Sequence, residues 1–190
     1  MEYLVILISA ILVNNIVLAK FLGICPFLGV SKSSATALGM GMAVVFVMTI
    51  STIITWMLNA YLLVPLNIGF LQTVSYILVI AFLVQVVEII MKKVSPDLYQ
   101  ALGVFLPLIT TNCAILGVAI LVVQNDFSLL TSVVFAIGNA LGFMLALILF
   151  SAMREQLELE ELPLGMKGIP IALITAGILA MAFMGFSGLA

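Results

Sequence analysis

Apolar residues recur along this chain in six runs of about 20 residues, the length that a helix needs to cross the ~30 Å hydrocarbon core of a bilayer. Short connections separate the runs and hold most of the turn formers, such as Pro65, Asn67, Gly69 and Ser95-Pro96-Asp97. We therefore predict an all-α polytopic membrane protein, with a single membrane domain over residues 1–190. The six predicted transmembrane helices lie near residues 3–22, 36–58, 70–92, 100–122, 128–150 and 169–188.

The composition supports a membrane protein and excludes several kinds of site. Hydrophobic residues make up 65% of the chain and charged residues only 7%, far from the values of a soluble domain. The net charge of −2 gives no indication of a nucleic-acid partner. The chain has no histidine, which excludes imidazole-ligated haem or zinc and histidine acid–base catalysis within it.

The basic residues predict the orientation, because Lys and Arg in short loops stay on the cytoplasmic side. All six lie at the first, third and fifth connections: Lys20, Lys32, Lys92, Lys93, Arg154 and Lys167. Both termini are therefore predicted on the outer side. Glu2, rather than a basic segment, precedes the first apolar run, and we interpret that run as a retained span.

One short pattern, Cys-x-x-Leu-Gly-Val, occurs twice. It begins at Cys25 and again at Cys113, 88 positions later, and these are the only two cysteines of the chain. The chain therefore divides into repeat halves of approximately 1–94 and 95–190, each with three predicted spans. Because three is an odd number, the second half enters the membrane from the opposite side, which predicts a 3+3 inverted repeat.

Both cysteines lie where a regular transmembrane helix is unfavourable. Pro26 follows Cys25 directly, and Pro107 precedes Cys113 by six residues, in a region rich in polar residues. Inverted-repeat membrane proteins place interrupted helices around a functional site near the bilayer midplane. We therefore predict that the first and fourth helices are broken and that the two breaks meet.

Small residues at four-residue spacing predict close contact between helices in the second half. Gly138, Gly142 and Ala146 follow this spacing in the fifth predicted span. In lipid, where helices gain no hydrophobic drive to associate, such stripes let two backbones approach.

Three interpretations of the cysteines follow from the residues alone. They fill space in the core, they form a disulfide, or they bind a metal. Zinc and iron–sulfur clusters usually take four ligands, and this chain offers two thiols, so the other two would come from a second protein of the same architecture. A cluster at the bilayer centre would relay electrons, whereas zinc would have no evident use there, so we favour an iron–sulfur cluster shared across a subunit interface.

Polar neighbours of the cysteines have two readings. These neighbours are Asn14, Asn15, Thr110, Thr111 and Asn112. They either donate hydrogen bonds to cluster sulfurs or cap free backbone groups where the helices are broken. Lys20 either offsets the charge of a thiolate-ligated cluster or extends to the membrane surface. Glu88 either pairs with Lys92 one turn later or serves an ion pathway.

The sequence resembles a known family in several segments. These are Val13-Asn14-Asn15, 20–27, 29–32, 105–114, 172–177 and 182–188. In them the chain resembles the A subunits of the Rnf complexes, which are bacterial ion-pumping ferredoxin:NAD oxidoreductases. It is also similar to the E subunit of the sodium-translocating NADH:quinone reductase.

The resemblance implies a six-helix inverted-repeat subunit in the bacterial inner membrane, paired with a homologous E-type subunit of opposite orientation. The pair would hold one [2Fe-2S] cluster, with Cys25 and Cys113 as this chain's ligands and two further cysteines from the partner. Electrons would pass between a cytoplasmic module and flavinylated subunits, among the B, C, D and G subunits of the complex, coupled to sodium or proton transport.

Two other functions stay open on the residues alone. The chain could be a small inverted-repeat secondary transporter whose broken helices line a solute or ion site. It could also be a scaffold subunit whose thiols have no function. Replacement of either cysteine by serine discriminates between these and the electron relay.

Overall fold

The computed structural model describes residues 2–31, 33–66, 69–94, 106–160, 163 and 165–185. Every regular element in these residues is helical. We number the helices α1 (Glu2–Ile8), α2 (Ile24–Val30), α3 (Ser34–Leu58), α4 (Gln72–Val94), α5 (Leu106–Thr110), α6 (Cys113–Gln124), α7 (Leu129–Leu159) and α8 (Ile169–Met184). A π-helical turn, Ser9–Val13, continues α1, and a 3₁₀ turn, Gly69–Leu71, precedes α4. A π-helical segment, Asn59–Leu63, and a last turn, Val64–Leu66, continue α3.

The helices follow the predicted apolar runs. Among the described residues, four helical stretches are long and apolar enough to cross a membrane: Ser34–Leu66, Gly69–Ile90, Pro107–Gln124 and Leu129–Leu159. Tyr3–Val13 and Ile169–Met184 are apolar but shorter. The all-helical class and the multi-pass character are confirmed. The six-span inverted repeat stays a prediction, and its boundary at residues 94 and 95 meets the segment 95–105, which lies outside the described residues.

Helices α3 and α7 pack along each other and form the centre of the protein. Gly41 of α3 lies so close to α7 that a Cβ there would come within 2.6 Å of Met144 Cγ. Large side chains such as Met40, Met48 and Phe143 are fully buried around this contact. Buried hydroxyls do not disrupt it, because Thr52 and Thr55 donate to backbone carbonyls of their own helix.

Helix α1 packs on α7 at the small residues that the sequence marks. A Cβ on Gly138 would lie 3.0 Å from Ala10 Cβ, and one on Gly142 would lie 3.0 Å from the Ala10 carbonyl oxygen. The two backbones therefore approach each other directly, and the predicted role of these two glycines in close packing is confirmed.

The first predicted helix, 3–22, is wrong in its extent. Helical structure ends at Val13, residues 14–23 form turns, and α2 begins at Ile24. The prolines also act differently from the prediction. Pro26 is the third residue of α2 and Pro107 the second of α5, first-turn positions where the missing N–H costs nothing. Each break therefore precedes its cysteine, and each proline stands near the beginning of a helix.

Candidate functional site

The two cysteine segments, 88 positions apart in sequence, lie side by side. The backbone N–H of Gly23, two residues before Cys25, donates to Cys113 Sγ at an N···S distance of 2.9 Å. Gly23 has φ of +85°, and a Cβ there would come within 2.7 Å of Phe143 Cε2. Only glycine fits both the backbone conformation and the space. The sequence-based prediction missed Gly23 as a donor, because the donor is a backbone N–H, which no residue type marks.

The glycines of the repeated pattern make reciprocal contacts. A Cβ on Gly117, in the second segment, would lie 2.9 Å from Leu22 Cδ1, just before the first segment. A Cβ on Gly29, in the first segment, would lie 3.2 Å from Leu108 Cδ1, just before the second. Each half therefore uses the same glycine of the pattern to receive a leucine of the other half.

Both thiols are free, so the disulfide considered above is not formed. Cys25 is exposed on the surface of the chain, and Cys113, the first residue of α6, is partly buried. The Cys113 sulfur therefore lies beside the segment that carries Cys25, and the Cys25 thiol faces outward.

Asn15 holds the first break together. Its Nδ2 donates to the carbonyl oxygens of Ile11 at 3.1 Å and Gly142 at 2.8 Å. Its Oδ1 accepts from the backbone N–H groups of Val17 and Leu18. The side chain is fully buried. Of the two readings given to this residue, backbone capping is the one that the contacts support, and no amide hydrogen remains for a cofactor.

Asn112 caps α6 at the second break. Its Oδ1 accepts from the backbone N–H of Ala114 at 2.9 Å, as an N-cap asparagine does. Its Nδ2 is buried and has no hydrogen-bond partner among the described residues. The neighbouring Thr111 hydroxyl donates to the Pro107 carbonyl oxygen. Near Cys113, Asn112 therefore keeps an unused buried donor.

Individual side-chain contacts link α2 to α7. Phe27 stacks on Phe150 with ring centroids 4.2 Å apart. Beyond this pair, Arg154 Nη1 donates to the carbonyl oxygen of Leu28 and to Ser31 Oγ, each at 2.9 Å. From the sequence, Arg154 was interpreted only as one of the basic loop residues that predict the orientation. The missed signal was its position, because it directly follows a long apolar run and so lies near enough to the membrane to serve a buried carbonyl.

Lys20 lies in the connection between α1 and α3, as predicted. It lies in the turns between α1 and α2 and lines a cavity of about 390 Å³. Ser9, Asn14, Asn125 and Asn139 line the same cavity. Asn125 follows the end of α6 that is opposite Cys113, so this cavity extends to that end of α6. Lys32 lies outside the described residues, and Glu88 lies on α4, partly buried, one turn before Lys92.

The residues fit a metal centre that needs completion from outside the chain. In the described segments no three His, Cys, Asp or Glu side chains come together. The available set is therefore two soft thiols on segments that contact each other, of which Cys25 faces outward and Cys113 directly follows the unused donor of Asn112. This is the donor chemistry of half a thiolate-ligated cluster.

Comparison with known proteins gives a family for the whole chain. Residues 3–190 match the family described as "Rnf-Nqr subunit, membrane protein". The A subunit of an ion-translocating oxidoreductase complex from Syntrophotalea carbinolica is 60% identical over 186 residues, 98% of this chain and 96% of the relative. The A subunit of the Na(+)-translocating ferredoxin:NAD(+) oxidoreductase complex from Acetobacterium woodii is 57% identical over 189 residues, covering 100% and 98%. The chain therefore belongs to the Rnf-Nqr family of membrane-protein subunits.

Proposed function

We propose that this chain is a membrane electron-relay subunit of an ion-translocating ferredoxin:NAD oxidoreductase complex, without independent activity. The observation that carries the proposal is the 2.9 Å contact between the Gly23 N–H and Cys113 Sγ, which brings the two cysteine segments together. The names of relatives that are 57% and 60% identical to the chain support the reaction and the complex.

The proposed cofactor is a [2Fe-2S] cluster, for which Cys25 and Cys113 would be this chain's two ligands. When bound, it supplies one-electron transfer. The chain's own residues shape its surroundings: Gly23 directs a backbone donor at Cys113 Sγ, and Asn15 holds the break before Cys25. Because Cys25 faces outward, a second protein can approach it and complete the ligand set.

The proposed partner is a homologous E-type subunit of opposite orientation, which contributes two further cysteines. The reciprocal contacts of Gly29 with Leu108 and of Gly117 with Leu22 support an inverted 3+3 repeat within the chain. The other partners would be the B, C, D and G subunits of the complex, including the flavinylated ones. Sodium or protons would be the transported ions.

The proposed location is the bacterial inner membrane, with both termini on the outer side. Arg154 and Lys167 line one cavity, and Arg154 contacts Ser31, so these groups share one end of the protein. Lys92 and Lys93 are in the last turn of α4, which runs back toward the beginning of α3. That end therefore carries the four described basic residues other than Lys20, as the cytoplasmic side does in most membrane proteins.

The test is the cofactor content of the complex purified through this chain. Wild type is expected to hold about two irons and matching acid-labile sulfide, with a [2Fe-2S] EPR signal on reduction. Cys25→Ser and Cys113→Ser should each remove iron and signal. Thr111→Ser is a matched control, since it keeps a hydroxyl beside Cys113 and should retain both. Full iron in either cysteine variant would overturn the proposal.

The cavity around Lys20, in which polar side chains interrupt an otherwise apolar lining, favours a second candidate, a small secondary transporter. A space of about 390 Å³ lined by Ser9, Asn14, Asn125 and Asn139 is unusual in so apolar a chain. In this case the chain alone, in liposomes, would take up a solute or ion, and serine in place of either cysteine would be tolerated. A scaffold subunit would show neither uptake nor sensitivity to these substitutions.

A further inference from the structure

The buried amide of Asn112 has a donor that the fold does not use. The side chain belongs to a residue only 2% exposed. Its orientation is fixed, because Oδ1 accepts from the Ala114 N–H at 2.9 Å. Nδ2 then has no partner among the described residues. Buried donors are almost always satisfied, so an unpaired one indicates a partner beyond the described residues, such as a bound group.

The position of this amide links it to the cysteine sulfur. Asn112 directly precedes Cys113, and its Oδ1 lies 3.3 Å from the place where a Cβ on Gly23 would be. The N–H of the same Gly23 donates to Cys113 Sγ. Asn112 and the Cys113 sulfur therefore both lie next to the same residue, Gly23, whose N–H is the donor that reaches the sulfur.

The other asparagines near the breaks are already engaged. Asn15 donates both amide hydrogens to carbonyl oxygens of the chain. Asn14 is exposed and donates to Ser9 Oγ. Of the three asparagines for which hydrogen bonds to a cluster were considered, Asn112 alone has a buried donor without a partner among the described residues.

We propose that Asn112 Nδ2 donates a hydrogen bond to a sulfur of the group held at Cys113, and that it acts with the Gly23 N–H to raise the reduction potential of that group. This rests on the proposed function. One-electron reduction adds negative charge to the sulfurs, and hydrogen-bond donors stabilise the more negative state. Asn112 is thus a residue that sets the potential, as well as a helix cap.

Asn112→Asp and Asn112→Ser test this role, because both keep an N-cap acceptor and remove the amide donor. The measurement is an EPR-monitored redox titration of the purified complex, with iron content determined in parallel. At the potential that half-reduces wild type, we expect the ratio of reduced to oxidised centre to fall about tenfold in Asn112→Ser, which corresponds to about 59 mV for one electron. In Asn112→Asp, which also adds a carboxylate, the ratio of reduced to oxidised centre should fall at least as far.

The control is Asn14→Asp, which removes an exposed amide near the first break and should leave the potential unchanged. If Asn112→Asp fails to assemble, Asn112→Ser, which is neutral, decides the result. A residue that only caps α6 predicts the wild-type potential in the neutral Asn112→Ser variant, and that outcome with full iron overturns the inference while leaving the proposed function intact. Wild-type complex without iron in this position would overturn both.

Discussion

Arg154 Nη1 donates a 2.9 Å hydrogen bond to the carbonyl oxygen of Leu28, 126 positions earlier in the chain. Leu28 belongs to the last turn of α2, where backbone carbonyls have no partner within the helix. The same nitrogen donates to Ser31 Oγ, which lies in a fully buried residue. The short helix that carries Cys25 is therefore fixed at its far end by a charged side chain of α7.

Replacement of Arg154 should loosen this end of α2. Arg154→Gln removes the charge and shortens the reach, so at least one buried acceptor loses its donor, at a cost of about 1–3 kcal/mol in the free energy of unfolding. Chemical or thermal denaturation in detergent measures the loss. Glu155→Gln is the matched control, because it keeps the Oε1 that accepts from the Ser34 N–H. Equal stability of the two variants would show that the Arg154 contacts contribute nothing.

The close contact of α1 with α7 predicts a strong difference between two glycines. In Gly142→Ala the new methyl would meet the Ala10 carbonyl oxygen at 3.0 Å and Ile11 Cα at 3.2 Å. Both are backbone atoms that cannot move away alone, so we expect a loss of about 1–3 kcal/mol. Gly177→Ala, where a Cβ would have nothing within 4 Å, should be neutral or stabilising, because alanine favours helix. The same denaturation assay compares the two, and equal effects would contradict the contact.

Asn15 should tolerate even an isosteric change poorly. Asn15→Asp keeps the acceptor for the Val17 and Leu18 N–H groups but turns a carboxyl oxygen toward the carbonyls of Ile11 and Gly142. We expect a loss of about 3 kcal/mol or of folded protein altogether, since a buried donor network is replaced by repulsion. Yield and monodispersity by size-exclusion chromatography report the outcome. The neighbouring exposed Asn14, changed to Asp, should remain near wild type.

Gly23 should be required for the cofactor and Gly29 should not. Alanine at Gly23 meets a φ of +85° and Phe143 at 2.7 Å, so the segment that donates to Cys113 Sγ must shift. We expect Gly23→Ala to lose most of its iron, whereas Gly29→Ala, whose methyl meets only the movable end of Leu108 at 3.2 Å, should keep it. Iron analysis of the purified complex decides, and full iron in Gly23→Ala would show that this donor is dispensable.

The proposed orientation predicts the behaviour of reporter fusions. Alkaline phosphatase, which folds only outside the cytoplasm, should be active when fused after residue 190 and inactive when fused after Glu158. The reason is that the end of α7 lies with Arg154 and Lys167 at the basic end of the protein. The opposite pattern of activity would reverse the orientation.

The sequence predicted much of this architecture because the dominant signals are local. Runs of apolar residues identify helices in a bilayer without knowledge of their neighbours, and the repeated Cys-x-x-Leu-Gly-Val pattern indicated that Cys25 and Cys113 belong together. Gly138 and Gly142 were recognised from spacing alone.

What the sequence did not predict depends on partners distant along the chain. The role of Arg154 can be recognised only when Leu28 is known to lie in the last turn of a short helix that contacts α7. The surroundings of Lys20 depend on a cavity that residues of α1, α6 and α7 also line. The positions of Pro26 and Pro107 were predicted incorrectly, because a proline can either follow the end of a helix or stand in its first turn. Only the fold shows which of the two applies. The Gly23 donor is a backbone atom, which no residue-type pattern reports.

The engagement of Asn15 also bears on how the complex is built in the cell. Every hydrogen-bonding atom of its amide is satisfied within the chain, so the break before Cys25 is stable without any cofactor. The protein can therefore fold in the membrane before a partner binds, with the Cys25 thiol exposed on its surface. Under the proposed function, delivery of iron and sulfur would have to follow or accompany pairing, because the partner would supply half of the ligands.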